Sequence, residues 1–148
     1  VIPAFRAATT NTARALELVR MVLMFLVLGG LVMYPVELIL IGHWISDNWQ
    51  AMIPFYLTIP AVVMVAWSYF DRTTPWVRWT YIIVMWVSVV VGVMGAYYHW
   101  VYNMEDFRGV RWDFMYSMEQ FHGYRPVLAA LAYTNMGVTG LAAIFRAR

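Results

Sequence analysis

Apolar residues in this chain neither alternate with polar ones nor keep to a narrow helical stripe; they come in long unbroken runs. A helix needs about 20 mostly apolar residues to cross a hydrocarbon layer of roughly 30 Å. Four runs meet that length, at residues 21–45, 52–70, 79–102 and 126–145. They are too long and too continuous for tilted barrel strands, and a helix satisfies its own backbone in lipid. The pattern predicts an all-α integral membrane protein, a single domain over residues 1–148, with four transmembrane helices in an up-down bundle. The links at 46–51 and 71–78 are short, so consecutive helices are expected to be antiparallel neighbours. The link at 103–125 is long. Within it Phe114, Met118 and Phe121 share one helical face while Asp113, Ser117 and Gln120 share another, which suits a short interfacial helix.

Charge adds a direction. Arg6, Arg14, Arg20, Arg72, Arg78, Arg146 and Arg148 fall on one side of the four runs, and Arg108, Arg111 and Arg125 on the other. Arginine accumulates on the cytoplasmic side, so both termini are expected inside and all three histidines outside. The first fifteen residues, VIPAFRAATTNTARA, hold two arginines and no apolar core, so the first long run reads as a retained span, not a cleaved signal.

Composition excludes several classes. Hydrophobic residues make up 63% and charged residues 12%, against roughly half and a quarter in soluble domains. Without cysteine there are no disulfides and no thiolate metal sites. A formal charge of +2 with no basic patch argues against nucleic acid. Every basic residue is arginine, and alanine, valine and glycine are frequent, which points to GC-rich bacterial coding and an inner (cytoplasmic) membrane location.

Helices in lipid associate through small residues. Ser88, Gly92 and Ala96 recur every four residues, and His99 ends their stripe; Ala129, Ala132, Met136, Gly140 and Ala143 form a second stripe. If the two stripes meet, His99 approaches His122. Pro35 and Pro60 predict bends within spans.

Neutral imidazole is a common metal ligand. His43, His99 and His122 are therefore the candidate cofactor ligands, for haem, bacteriochlorophyll or a transition metal, with His43 and His99 able to clamp a haem iron as a pair. Glu119 and His122 form Glu-x-x-His, one half of a di-iron signature, and with His99 are the candidate metal set. Met104, Met115 and Met118 could add soft donors. Asn103 and Asp106 extend the His99 face if the third helix overshoots the bilayer. Glu37 is an intramembrane carboxylate, costly in lipid and expected to face the bundle interior or a wet cavity.

No phosphate loop, nucleophile elbow or zinc-protease signature occurs, so an enzyme acting alone is not expected. The leading reading is a small accessory subunit of a larger bacterial membrane complex, redox or photosynthetic, in contact with lipid and other membrane subunits. The alternatives are a haem-, pigment- or metal-binding protein using the outer histidines, and a small transporter or channel using Glu37. The run HWVYNME from His99 to Glu105, the acidic-aromatic segment after it and the Pro126-led last span resemble small bacterial four-helix membrane proteins over the last third of the chain. That likeness implies the bundle and no activity.

Overall fold

The computed structural model describes residues 1–40, 42–43, 49–106 and 127–145. They form α1 (Ile2–Ala7), α2 (Asn11–Leu40), a 3-10 turn (Trp49–Met52), α3 (Ile53–Phe70), α4 (Pro75–Asp106) and α5 (Val127–Ile144). The described residues contain no strand. The four long helices are each long and apolar enough to cross a membrane.

α2 begins well before its apolar run. Thr10 caps it, its Oγ1 accepting from the Ala13 amide at 3.1 Å. Good helix formers such as Ala13, Arg14, Ala15 and Leu16 then carry the helix into the apolar stretch. α2 ends at Leu40, not near residue 45, because the chain reverses at Gly42. Gly42 has a φ of 74° and donates its amide to the Ile39 carbonyl at 3.0 Å. Only glycine adopts that left-handed backbone without steric cost.

The α3–α4 turn is held by one carboxylate. Asp71 accepts from the Thr73 and Thr74 amides at 3.2 and 3.1 Å and from the Thr74 hydroxyl at 2.6 Å. Pro75 then supplies a preset first helical residue. Hydrogen bonds from the Thr74 side chain and backbone, with smaller help from Thr73, hold the Asp71 carboxyl below its ordinary 3.8. The stabilisation this gives is present above pH 3.8 and is lost as pH falls through the lower folded-state value. Asp71→Ala is therefore expected to lower the thermal midpoint at pH 7 and to remove this part of the acid sensitivity. Melting curves at pH 3 and pH 7 check both effects.

The four long helices form a ring in which α2 packs on α3, α3 on α4, α4 on α5 and α5 on α2. Met24, Leu31, Val65, Tyr81, Met85 and Tyr133 fill its centre. Its outside is apolar too, with Phe25, Leu40, Ile59, Phe70, Trp86 and Leu128 exposed. The Arg20 guanidinium donates to the Phe145 carbonyl at 3.1 Å, so the start of α2 and the end of α5 lie at one end of the ring. This is the arginine end; the other is the histidine end.

The α4–α5 seam is the closest approach in the ring. A Cβ on Gly92 would sit 2.5 Å from the Thr134 nitrogen, and one on Gly137 would sit 2.6 Å from the Met85 carbonyl oxygen. On α4, Gly92 of the small stripe faces α5, as does Gly95. On α5 the set facing α4 is Ala130, Thr134, Gly137 and Gly140, Tyr133 points to Tyr34 on α2 and Pro54 on α3, and Ala129 is exposed. The outer half of the predicted α5 stripe is thus one residue out of register: large Tyr133 turns inward and small Ala129 outward. α4 continues to Asp106, past the expected end at 102. Its 32 residues span about 48 Å at 1.5 Å per residue. Residues 103–106 of the expected interfacial segment therefore belong to α4, and the rest of that segment lies outside the described residues.

Candidate functional site

Two histidines meet at the histidine end. Gly42 turns the chain off α2, and His43 follows directly. His99 comes from α4, where the small residues Gly92 and Gly95 sit on the preceding turns. The His43 and His99 ring centroids are 6.2 Å apart, with the rings tilted by 55°. Both line a cavity of about 140 Å³, together with Gln50, Tyr98 and Tyr102 at the sides and Tyr34 and Tyr133 beneath.

The tyrosines are tied down. The Tyr34 and Tyr133 rings meet edge to face at 4.9 Å. The Tyr133 hydroxyl donates to the Pro54 carbonyl at 2.7 Å and also contacts the Thr58 hydroxyl. The Tyr102 hydroxyl donates to Gln50 Oε1 at 3.2 Å. Gly92, Gly95 and Ala130 line the space between these rings. A polar-tipped aromatic cage with two imidazoles at its mouth is the result.

Burial holds His43 below its ordinary value, and the neighbouring His99 lowers it further. Its imidazole is thereby kept in the neutral form, which is the form that binds metals. Two imidazoles facing each other across one ion, with metal–nitrogen bonds of roughly 2.0–2.1 Å, put their ring centroids about 6 Å apart. The observed separation fits that arrangement. A tetrapyrrole fits less well: the cavity of about 140 Å³ is well under the roughly 300–1,000 Å³ of pockets that hold drug-sized ligands. At about 30 Å³ per water it admits an ion with roughly four waters.

The remaining candidates separate. His122, Glu119, Met115 and Met118 lie outside the described residues. Among the described residues no three histidine or acidic side chains gather around one point. Asn103, one turn beyond His99, is fully buried. Glu37 stands on the exposed side of the last turn of α2 and does not line the cavity. It was expected to face the interior. Its neighbours Tyr34 and Leu38 take that side, because Tyr34 packs on Tyr133 and Leu38 is buried.

The arginine end holds a cluster that hydropathy does not reveal. Glu17 Oε1 accepts from Arg20 Nη1 at 2.5 Å and from Arg72 Nη2 at 2.8 Å, with all three side chains less than a tenth exposed. The only sequence signal for it is Glu17-x-x-Arg20 spacing, with Arg72 in a turn that short links return to the same end.

No protein family, curated protein or solved structure matches this chain.

Proposed function

We propose that this chain is a four-span protein of a bacterial inner membrane, with its arginine end in the cytoplasm, that holds a transition-metal ion between His43 and His99 on the outer side as an accessory subunit of a larger membrane complex. The observation that carries this reading is the convergence of two imidazoles at 6.2 Å on one cavity. The orientation rests on the arginine bias.

Imidazole donors suit zinc, copper, iron and nickel. Within the site, the Gly42 turn and the α4 backbone set the two rings, and burial keeps His43 unprotonated. The hydrogen bond between Tyr102 and Gln50 fixes two further oxygen atoms beside the rings. The aromatic walls limit water at the ion to the few molecules the cavity admits. With only two protein nitrogens identified, coordination positions are left for water or for a group offered by a partner. That suits a site completed within a complex. Glu37 supports the same assembly, since a carboxylate on the outside of a span is costly against lipid and is satisfied by a donor on a neighbouring subunit.

The test is the metal content and absorption spectrum of the protein purified from its native membrane in mild detergent. Near one equivalent of a single transition metal is expected. His43→Ala and His99→Ala should each weaken binding by roughly 100-fold or more, at or beyond the upper end of losses seen when only a supporting partner of a ligand is removed. Binding should also be lost on acidification, at a pH below the ordinary imidazole range because burial and His99 hold His43 down. A protein without stoichiometric metal that also fails to take up zinc or copper sinks the reading. A Soret or pigment band would point to a larger group in place of a bare ion.

A further inference from the structure

We propose that the arginine end binds a phosphate anion, one oxygen of which enters the cleft between Arg72 and Ser68. Arg72 is buried, its side chain 6% exposed, and only its Nη2 is used by Glu17. Among the described residues its Nε and Nη1 have no hydrogen-bond partner, nor do Glu17 Oε2 and the Oγ of Ser68, which is 1% exposed. Arg72 and Ser68 line the same small cavity, with Arg78, Tyr81 and Ile144.

Buried donors are nearly always paired, and an unpaired charged donor is the costliest kind to leave. The two arginine nitrogens can only donate, so the missing partner is an acceptor. Charge narrows it further. Arg72 and Arg78 both line the cavity, and no acidic side chain among the described residues does. Glu17 is not among the lining residues. The site is therefore net cationic and favours an anion. Size narrows it again: the cavity is about 10 Å³, near the space one water or one oxygen atom takes. An acceptor that sends in one oxygen and keeps the rest of its charge beside Arg78 at the surface fits a phosphate group, which arginine recognises well.

That phosphate has two sources, an anionic lipid headgroup or the free ion. Exposed Phe70, Trp76 and Trp79 surround this end of the ring, and tryptophan favours headgroup level. Basic clefts between helices on the cytoplasmic side are suited to anionic headgroups. The phosphate chemistry does not depend on the metal reading at the other end.

The experiment uses the full chain in detergent, with native mass spectrometry counting bound dioctanoyl phosphatidate, dioctanoyl phosphatidylcholine or inorganic phosphate. Phosphatidate is expected to be retained at least tenfold better than phosphatidylcholine. Ser68→Val, which fills the cleft while leaving the Glu17 bridges, should abolish that preference. Ser68→Ala, which removes one donor without adding bulk, should reduce it, and serves alone if the valine variant does not fold. If inorganic phosphate competes at equal concentration, the free ion is the ligand; if it does not, the lipid is. Equal retention of the two lipids with no phosphate binding would mean that water alone fills the cleft and would overturn the proposal. So would a preference that survives both Ser68 substitutions.

Discussion

Glu17→Ala is expected to be the most damaging single substitution at the arginine end. Glu17 Oε1 is the shared acceptor for Arg20 and Arg72, and the three side chains are 9%, 8% and 6% exposed. Without the carboxylate, two guanidinium groups face each other in a buried space with no counter-charge. Breaking a buried ion pair by removing one partner costs about 3–5 kcal/mol, a large share of a typical stability of roughly 5–15 kcal/mol. The loss reaches several elements, because the cluster joins α2, the α3–α4 turn and the end of α5 through the Phe145 carbonyl. Glu17→Gln keeps an acceptor oxygen and should cost less. Thermal unfolding in detergent, followed by circular dichroism, ranks the three proteins. An alanine variant that melts with the parent would show that water, not Glu17, neutralises the arginines.

The second large effect lies on the α4–α5 seam. Gly92→Ala would place a methyl 2.5 Å from the Thr134 nitrogen and 3.1 Å from the Ala130 carbonyl oxygen, and Gly137→Ala would place one 2.6 Å from the Met85 carbonyl oxygen and 2.9 Å from the Val89 nitrogen. These obstacles are backbone atoms, so no rotamer change relieves them and the two helices must separate. Overpacking of this kind costs about 1–3 kcal/mol and at times more. Gly29 gives the contrast, since a Cβ there meets nothing within 4 Å. Gly29→Ala should stabilise by up to about 1 kcal/mol through helix propensity alone. Melting temperatures should therefore move in opposite directions for chemically identical changes. Gly92 also lines the histidine cavity, so Gly92→Ala should weaken metal binding where Gly137→Ala does so less. Equal tolerance of alanine at positions 29, 92 and 137 would contradict this packing.

Much of the architecture was legible because hydropathy reports which backbone can sit in lipid. The four helices, their short links and the α4 face carrying Ser88 and Gly92 all follow from run length and small-residue spacing. The meeting of His43 and His99 was legible as one of two histidine pairings, beside His99 with His122. It could not be singled out, because the glycine that ends α2 at Leu40 acts through one backbone angle, and run length carries no trace of it. Helix limits were the weaker part. Asn11 to Arg20 is polar enough to read as a tail, yet a threonine cap and good helix formers make it helical. Glu17 and Arg72 are 55 positions apart, so their pairing depends on how two turns close, which local pattern does not encode. Glu37 shows the opposite failure. Its cost in lipid suggested an inward position, but that side of α2 is taken by Tyr34 and Leu38, and the carboxylate is left exposed.

A metal ion shared by His43 and His99 is the proposal on which the function rests. X-ray absorption at the zinc edge, on metal-free protein given one equivalent of Zn(II), tests it most directly. Imidazole multiple scattering from two rings with nitrogen at roughly 2.0–2.1 Å is expected, reduced to one ring in His43→Ala and in His99→Ala. A spectrum of hydrated zinc, or one unchanged by both substitutions, would contradict it.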